Sequence, residues 1–528
     1  MRAMMWVSFE SLPSALSLRL DSRLATAVAV VSALYLFIYR LQTVKNHPHE
    51  PPIVASKIPF VGPLLGMVLE GGRYVKIVGL HHRDKTIFTL PVPRSRIYVV
   101  TDPALAAAVQ RASKTLSFTP LVPDLTKRVI GLDLDTVALL RQNLDPEPGE
   151  PHGFLADMHD MVYAYLGPGA PLTALSLGAA RELGRQVAAH AAQLQQPQTV
   201  NLLAWVRRFV TLGTAQFLYG PHNPLTLHPH LEQAFWDFDC GLGRLLLGVA
   251  PALTARAAYR GRESLASAFE EYLSAGCHDR AAPIVQRRVD IAHQHGLSVA
   301  ATARSELSFL FAGIVNTAMT TFWAVLQIFA RPALLAAVRA ELAPALVGDG
   351  MCQLSMDALN SAACPTLDAV VRECLRVGSD NYSTRLVKSD TVLAGQWHLT
   401  AGAVVQIAGG VIHADAGIWG ADADVFNPAR FLKLGEGGRK VHPAAFRAFG
   451  GGKTLCPGRH FAMHEIRALV AMVVLTFDLE AADPGAGSGP GITVPLKEDR
   501  VLPVHILEPR TDLYVRITVR DGRSILVV

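Results

Sequence analysis

The residues of this sequence that could do chemistry lie in one glycine-rich loop around a single cysteine. The loop, FGGGKTLCPG, covers residues 449–458, and an amphipathic segment follows over residues 461–477. Three consecutive glycines permit positive φ and close approach of the backbone to a flat ligand, and we expect Gly458 to do the same. A helix that starts near Pro457 would place its positive end at Cys456 and stabilise a thiolate.

Such a loop suits one cysteine that ligates a large cofactor. Neighbouring backbone N–H groups could donate to the sulfur, and the cysteine pairs or Cys/His sets of a zinc site are missing. The other interpretation is a buried structural cysteine in a glycine turn. The chain contains no C-x-x-C pair, and its scarcity of cysteines fits a reducing compartment. The six cysteines are Cys240, Cys277, Cys352, Cys364, Cys374 and Cys456.

The loop resembles the haem-ligand loop of the cytochrome P450 family, whose pattern is Phe-x-x-Gly-x-(Arg or His)-x-Cys-x-Gly. Phe449, Gly452, Cys456 and Gly458 match this pattern. Thr454 stands where the family usually has a basic residue that touches a haem propionate. The resemblance implies that Cys456 binds the iron of a haem b and that the propionates are neutralised by residues elsewhere.

Residues 305–330 form the most informative predicted helix. After Glu306 the segment has no charged residue for over twenty positions, so it is too apolar for a surface helix. It could span a membrane, but Asn316, Thr317 and two further threonines concentrate in its middle, where polar groups are costly unless they are used. A buried helix that crosses a large domain explains both features.

This segment resembles the long central helix of the P450 family. Small Ala312 and Gly313 leave room for a ligand, and Thr317 matches the alcohol residue that helps to deliver protons to bound oxygen. Asn316 replaces the usual acidic residue, as in the branch of cholesterol 7α-hydroxylase and prostacyclin synthase. The resemblance implies catalytic roles for Thr317 and Asn316 with a changed proton route. A hydrogen bond from Thr317 to the Gly313 carbonyl would be a structural alternative.

A third motif is Glu373-x-x-Arg376 on a helix predicted for residues 367–377. Such an i,i+3 ion pair is common and by itself worth only tenths of a kcal/mol. Here it precedes a Pro-x-Arg-Phe element that contains Arg430, and then the cysteine loop, which is the order of the same elements in the P450 family. The resemblance implies that Glu373, Arg376 and Arg430 form an ion network that locks the cysteine loop in place.

Two basic residues between these motifs are candidates for the propionate contacts that Thr454 cannot make. Arg385 and His413 are the predicted partners of the haem propionates. For each of them a purely structural role is the other interpretation.

The N-terminal region predicts a membrane anchor. Residues 24–39 are uncharged and lie between Arg23 and Arg40; as a helix they would span about 24 Å, close to the ~30 Å hydrocarbon core of a bilayer. A cleaved signal peptide is disfavoured, because no small-x-small site follows and the run exceeds about 15 residues. The predicted organisation is an N-terminal segment (1–23), a transmembrane anchor (24–41), a proline-rich linker (42–63) and a catalytic domain (64–528).

The periodicity of the remaining chain predicts a mainly α fold with small β-sheets, and the resemblance implies a cytochrome P450 fold preceded by one N-terminal transmembrane helix. Residues 114–170 are expected to be irregular, and residues 484–490 to form a glycine-rich turn. The predicted strands are 86–90, 96–100, 391–393, 396–399, 403–407 and 514–519. Further predicted helices are 104–112, 171–195, 200–219, 230–248, 254–276 and 281–294.

The composition of the chain limits both its fold and its function. Half of the residues are apolar and 18% are charged, which allows a large core, and the net charge of +5 is spread without a lysine or arginine run. Nucleic-acid binding is therefore not indicated. The resemblance implies a monooxygenase at the endoplasmic reticulum membrane with its catalytic domain in the cytosol. It would oxidise a lipophilic terpenoid, steroid or other secondary metabolite with O₂ and electrons from NADPH, passed on by cytochrome P450 reductase.

Two other functions remain open from the sequence alone. A thiolate-haem isomerase or dehydratase would rearrange an oxygenated substrate without a reductase, and Asn316 is compatible with it. A non-catalytic haem-binding membrane protein would show no change of iron spin state with any substrate.

Overall fold

A computed structural model describes the fold of residues 22–41, 47–54, 62–93, 95–146, 149–347, 352–360, 363–432, 440–482, 491–520 and 525–527. Most of the expected N-terminal segment, the linker residues 42–46 and 55–61, and the predicted turn at 484–490 lie outside these ranges. The described chain is mainly helical with small sheets, which confirms the predicted fold class.

The helices and strands follow the chain in this order. The helices are α1 (Ser22–Leu41), α2 (Gly62–Glu70), α3 (Arg73–His81), α4 (Pro103–Arg111), α5 (Val122–Ile130), α6 (Leu134–Leu140), α7 (Phe154–Leu166), α8 (Ala170–Gln193), α9 (Leu202–Tyr219), α10 (Pro224–Leu227), α11 (Leu231–Cys240), α12 (Leu242–Leu247), α13 (Pro251–Thr254), α14 (Arg256–Ser274), α15 (Pro283–Gln294), α16 (Val299–Phe329), α17 (Pro332–Leu342), α18 (Met356–Asn360), α19 (Pro365–Gly378), α20 (Gly409–His413), α21 (Ala416–Trp419), α22 (Ala429–Leu432) and α23 (Arg459–Thr476). The strands are β1 (Ile87–Val92), β2 (Ser95–Val100), β3 (Leu116–Ser117), β4 (Gln198–Asn201), β5 (Leu346–Val347), β6 (Cys352–Leu354), β7 (Tyr382–Val387), β8 (Thr391–Leu393), β9 (Trp397–Leu399), β10 (Val404–Ala408), β11 (Phe477–Ala481), β12 (Tyr514–Val519) and β13 (Ile525–Val527).

The largest sheet has the strand order β1-β2-β10-β7-β3. The predicted hairpin is its antiparallel pair β1–β2, in which Ile87 pairs with Val100. Strand β10 runs parallel to β2 and antiparallel to β7, so that Val405 lies opposite Arg385. Arg385 is therefore carried by an inner strand of the sheet, where neighbours on both sides fix its backbone.

Helix α16 crosses the core and is longer than the predicted segment. It begins after Ser298, whose side chain accepts a hydrogen bond from the Ala301 N–H at 3.1 Å, as an N-cap residue should. Helix α16 is long and apolar enough to cross a membrane, but 72% of its apolar window is buried inside the protein. It packs against α9, α14, α19 and α23, so its apolar character is that of a core helix.

Two predictions about the first half of the chain are wrong. Residues 114–170 contain α5, α6 and α7 and are not irregular. Pro123 lies in the first turn of α5, where a missing N–H costs nothing, and Asp133 caps α6 through the Thr136 N–H at 2.7 Å. The helix predicted over 230–248 is divided at Gly241, where a Cβ would lie 2.3 Å from that of Ala258 on α14.

The N-terminal region differs from the expected linker. Residues 22–41 form the predicted helix, α1, with exposed valine and leucine side chains. Residues 47–54, however, pack on the large sheet: the Val54 N–H donates to the Thr89 carbonyl at 3.0 Å, and Glu50 forms a buried ion pair with Arg96. The described part of the proline-rich stretch is thus attached to the catalytic domain.

Candidate functional site

The cysteine loop is a tight backbone structure that glycine makes feasible. Gly450 and Gly452 have φ of +73° and +62°, a region that other residues seldom adopt. A Cβ on Gly451 would lie 1.9 Å from the Gln110 side chain. The Cys456 N–H donates to the Phe449 carbonyl at 2.9 Å, which closes the loop onto its first residue.

Cys456 lies just before α23, which begins at Arg459, so the predicted helix start near Pro457 is confirmed. Burial raises the pKa of the Cys456 thiol, while the backbone N–H groups of Gly458 and Arg459 and the Arg459 charge act in the opposite direction. The backbone N–H groups at the start of α23 thus stabilise a thiolate in the predicted direction, and burial acts more strongly against it. A thiolate at this sulfur needs a cation bound directly to it.

Gly458 does not have the positive φ that we expected. Its φ is −78°, and it precedes the first residue of α23. A Cβ there would lie 3.7 Å from Leu166 and 3.9 Å from the Cys456 sulfur. A side chain at this position would therefore grow into the space beside the sulfur.

The middle of α16 presents one open face inside the core. Ala312 and Asn316 are exposed and lie one turn apart, while Ile314 and Val315 are fully buried. Residues four apart share a helix face, so this face of α16 is not covered by other side chains. A Cβ on Gly313 would meet no atom closer than 3.5 Å.

Thr317 lies on the buried side next to a carboxyl group that the sequence analysis missed. Glu465 of α23 is fully buried, and burial raises its pKa to about 7; the hydroxyls of Thr214 and Thr317 act against this rise. Thr214 Oγ1 donates to Glu465 Oε1 at 2.9 Å, and no group in the described residues meets hydrogen-bond geometry with Oε2. A carboxyl with a pKa near 7 exchanges protons readily at neutral pH.

Asn316 is held by a segment near the C-terminus. Its side-chain Oδ1 accepts a hydrogen bond from the Ile506 N–H at 3.0 Å. The hydrogen bond from a threonine back to the helix carbonyl is made by Thr320, to the Asn316 carbonyl at 2.7 Å. No such bond to Gly313 is found for Thr317 in the described structure, so its hydroxyl is not used in that way.

The three charged residues of the predicted network come together. Arg376 makes two hydrogen bonds of 2.7 Å to the Glu373 carboxylate, and Arg430 lies 3.2 Å from the same group. Glu373 and Arg376 are 0% and 1% exposed. Arg376 also donates to the carbonyls of His413 and Ala423, at 2.6 and 2.7 Å. The network therefore neutralises Glu373 and also holds the loop that contains His413 and Ala423.

His413 connects this network to the cysteine loop. Its Nε2 accepts from the Arg447 N–H at 2.8 Å, and its Nδ1 lies 2.9 Å from the Ser379 carbonyl. Burial lowers its pKa to about 3, so the imidazole is neutral. Because both ring nitrogens are engaged with the backbone, the prediction that His413 contacts a propionate is wrong.

The second basic group at the site is Arg447. Arg385 and Arg447 are 4% and 1% exposed, and no carboxylate pairs with either of them in the described residues. Burial, together with the charge of Arg385, lowers the pKa of Arg447 to about 10. The Arg447 side chain bonds to Ser383 and Gln110, but its Nε meets no acceptor in the part of the chain that the structure describes. Two buried like charges of this kind require an anion to balance them.

Arg385 brings to Thr454 the positive charge that a threonine lacks. Arg385 Nη2 donates to Thr454 Oγ1 at 2.5 Å and to the Gly451 carbonyl at 3.3 Å. Strand β7 thereby brings a guanidinium to the loop position where the P450 pattern usually has its own basic residue.

Comparison with known proteins decides the family. The family model for cytochrome P450 matches residues 275–488. The cytochrome P450 monooxygenase nodJ of Hypoxylon pulicicidum is 32% identical over 448 residues, which are 82% of this chain and 84% of that protein. The chain belongs to the cytochrome P450 family. It is an oxidoreductase of the monooxygenase type.

Further relatives of this P450 come from fungi and mammals. A cytochrome P450 monooxygenase of Gibberella zeae is 27% identical, with 82% of each chain covered. Mouse cytochrome P450 7B1 is 26% identical over 87% of this chain and 90% of its own length. A pig 5-beta-cholestane-3-alpha,7-alpha-diol 12-alpha-hydroxylase is 31% identical over 37% of this chain and 42% of its own.

The residues of this P450 fit a haem. Cys456 would supply one thiolate to the iron, and the buried positive charges of Arg385 and Arg447, which pair with no described carboxylate, would suit the two haem propionates. Sequence reasoning missed Arg447 because arginine two residues before Phe449 has no local signal. Glu465 had one: it is an acid within the apolar stretch after the cysteine.

We expect Arg447→Leu to lower the haem content of the purified P450 to less than half of the wild-type value. The substitution removes one of the two buried charges that would balance the propionates and leaves Gln110 without its donor. Haem is measured as pyridine haemochrome per mole of protein. Lys453→Leu is the matched control, because Lys453 carries the same charge in the same loop but is exposed. Full haem content in both variants would rule out this role for Arg447.

Proposed function

We propose that this P450 hydroxylates a lipophilic small molecule of the terpenoid or steroid kind, with O₂ and electrons from NADPH that a cytochrome P450 reductase delivers. The observation that carries the proposal is the open face of α16 beside the buried pair Thr317 and Glu465. Oxygen activation consumes protons, and a carboxyl with a pKa of about 7 beside an alcohol is a suitable source. A site that only bound haem would have no use for a buried acid here.

The haem, when bound through Cys456, supplies a thiolate-ligated iron that activates O₂ for insertion into a C–H bond. The side chains then have separate tasks. Glu465 holds a proton at its carboxyl group, the Thr317 hydroxyl receives it, and Thr317 releases its own proton on the cavity side. Thr214 keeps Oε1 of Glu465 fixed through its 2.9 Å hydrogen bond. Most family members have an acidic residue at the position of Asn316, which provides a proton route. Here the route through Glu465 and Thr317 takes its place.

The substrate is proposed from the character of the cavity and from the relatives. Ala312 and Gly313 leave room beside an apolar helix, which suits a bulky lipophilic molecule. One of the relatives carries the hydroxylation of a steroid diol in its name. We infer that residues 118–125, 309–317, 381–386 and 501–504 line the substrate site. Exposed apolar Val501, Leu502 and Val504 support the last of these ranges.

Helix α1 is proposed to anchor the P450 in the endoplasmic reticulum membrane in a single pass, with the catalytic domain in the cytosol. Its exposed side chains include Val28, Val30, Val31 and Leu36, which are 56% to 65% exposed and would be covered by lipid. Extraction of the full-length protein from microsomes by alkaline carbonate would contradict an integral anchor.

The test of the proposed function is turnover. The purified P450 is titrated with a panel of terpenoids and steroids, and a shift in iron spin state identifies ligands. Each ligand is then incubated with NADPH and reductase, and a product heavier by one oxygen atom is expected. A product of unchanged or dehydrated composition, formed without reductase, would instead support an isomerase or dehydratase, the second candidate that Asn316 favours.

We expect Glu465→Gln to lower product formation about a hundredfold, the lower range for loss of a general acid. NADPH consumption should fall less than product, so that more reducing equivalents appear as hydrogen peroxide. In the wild type, product formation should decrease as the pH rises through about 7, because the carboxyl then loses its proton. In the variant this pH step should vanish. An unchanged rate and pH profile would exclude Glu465 from the proton route.

Stability provides an independent measurement on the same variant. A folded-state pKa raised from 4.5 to about 7 means that the carboxyl favours folding below pH 4.5 and that this contribution is lost as the pH rises through about 7. The full difference amounts to about 3 kcal/mol. Glu465→Gln should therefore unfold at higher temperature than the wild type at about pH 8 while being the poorer enzyme.

A further inference from the structure

A buried group of charges lies at the segment that holds Asn316. The segment 505–508, here called the strap, contains His505 and Glu508. His505 Nε2 lies 3.2 Å from Asp239 Oδ1, and the two side chains are 9% and 0% exposed. Asp239 belongs to α11, whose neighbouring Phe238 packs against Phe311 of α16 at 5.6 Å between ring centroids. The ion pair therefore joins the strap to a helix beside the open face of α16.

The strap is held along its whole length. The Ile506 N–H donates to Asn316 Oδ1 at 3.0 Å, and the Leu507 N–H donates to the Gly378 carbonyl at 3.0 Å. The Leu507 carbonyl accepts from the Trp323 indole N–H at 2.8 Å. These bonds tie the consecutive residues Ile506 and Leu507 to two helices, α16 and α19.

The Asp239 carboxylate is satisfied by charge and not by hydrogen bonds. Neither of its oxygens meets the geometry of a hydrogen bond to any described group. A buried carboxylate of this kind is costly unless a positive charge faces it. His505 is the group that does so, since Arg207 is engaged with Glu508 at 2.5 Å.

Asn316 depends on the strap for its orientation. Because Oδ1 accepts from the Ile506 N–H, the amide oxygen and nitrogen cannot exchange places without setting two donors against each other. In the described residues nothing accepts from the Asn316 amide nitrogen, and the side chain is exposed on the open face. Its N–H groups are then the polar groups that α16 offers there.

We propose that Asp239 and His505 are positioning residues: their ion pair clamps the strap across α16 and so turns the Asn316 amide N–H groups toward the substrate. This inference rests on the proposed function, because it assigns Asn316 to a substrate cavity. It implies a substrate with an oxygen atom that accepts a hydrogen bond near Asn316. It also implies that the clamp weakens when His505 loses its proton.

The direction of this pH dependence follows from the groups around His505. Burial lowers its pKa, but Asp239 from α11 and Glu508 on the strap outweigh burial and raise it. Arg207 from α9 faces Glu508, and the Cys240 thiol from α11 has a pKa of about 11 and stays neutral. A raised imidazole pKa means that the clamp is complete below the ordinary value of about 6.5 and is lost as the pH rises above it.

The test is hydrogen–deuterium exchange of the full-length, haem-loaded P450, read at the amides of Ile506 and Leu507. At about pH 6, where the imidazole is charged, we expect Asp239→Asn and His505→Gln to speed the exchange of both amides tenfold or more. Asp237→Asn is the matched control: it removes the same charge from α11, where Asp237 contacts Gln233, and should change neither amide. Asn316→Leu should free the Ile506 amide and leave that of Leu507 protected.

The wild type alone provides the decisive titration. After correction for intrinsic exchange rates, protection of both strap amides should fall as the pH rises from about 6 through the raised pKa of His505, while strand β12 shows no such step. A merely structural role predicts no step at the strap. A constant protection factor, or equal protection in the wild type and Asp239→Asn, would overturn the proposal. If Asp239→Asn does not fold, the wild-type titration still decides.

The hydrogen-exchange result at the strap can be distinguished from the result of the turnover test of the proposed function. Exchange at the strap requires neither substrate nor reductase, so a P450 without turnover can still show the clamp. Conversely, product formation with an unresponsive strap would leave the oxygenase intact and reject the roles of Asp239 and His505.

Discussion

Replacing Cys456 with serine is expected to abolish the red-shifted Soret band that the reduced carbon-monoxide complex shows with a thiolate ligand, and with it all product formation. A serine hydroxyl stays protonated at neutral pH and does not push electron density onto the iron as a thiolate does. The loop should keep its shape, because the Cys456 N–H bond to Phe449 belongs to the backbone. The reduced carbon-monoxide difference spectrum and near-ultraviolet circular dichroism measure the two effects separately.

A second buried cysteine supplies the control for this experiment. Cys374 on α19 is 1% exposed, and burial raises the pKa of its thiol far above the ordinary value. Cys374→Ser should cost about 1–3 kcal/mol of stability through the buried hydroxyl and leave the spectrum unchanged. A thiolate-type spectrum from Cys456→Ser would mean that another sulfur binds the iron, and the site would have to be assigned again.

The parts of the site that sequence revealed are those whose chemistry is local. The glycines of the loop predict positive φ, and Gly450 and Gly452 adopt it. The Glu373-x-x-Arg376 spacing fixes both groups on one helix face, where they pair. The apolar length of α16 with polar residues at its middle indicated a core helix, and burial agrees.

The parts that sequence reasoning missed depend on distant partners. A glycine at position 458 could be needed for a positive φ or to keep the space beside the sulfur free of a side chain. Only the packing of Leu166 distinguishes these two roles. The role of Arg447 depends on Arg385, which is distant in sequence and lies on strand β7. His413 was assigned by its charge, although burial makes it neutral.

The prolines of residues 114–170 suggest an irregular chain, although proline is also favoured in the first turn of a helix. A count of prolines cannot separate these roles. Pro123 precedes Asp124, an acid in the first turn of α5, and this combination is a start signal. Reading each proline together with the two or three residues after it would have predicted α5.

Arg376→Leu is expected to prevent accumulation of the folded P450. It leaves the Glu373 carboxylate buried with Arg430 at 3.2 Å as its remaining charged partner and removes two hydrogen bonds to the loop of His413 and Ala423. Breaking a buried ion pair on one side typically costs 3–5 kcal/mol. That is a large share of the roughly 5–15 kcal/mol that stabilises a folded domain. His413 accepts a hydrogen bond from the Arg447 N–H and so connects Arg376 to the chain just before the cysteine loop. Haem incorporation should therefore be lost along with the fold.

The same helix provides a matched control and a test of the cause. Arg372 pairs with Asp368 at 2.5 Å but is 46% exposed, so Arg372→Leu should cost no more than about 1 kcal/mol and retain full haem content. If the damage arises from an uncompensated buried charge, Glu373→Gln combined with Arg376→Leu should recover soluble protein relative to Arg376→Leu alone. Soluble yield and urea midpoint measure this. No recovery would indicate that the bonds from Arg376 to the two loop carbonyls, and not its charge, hold the proximal side together.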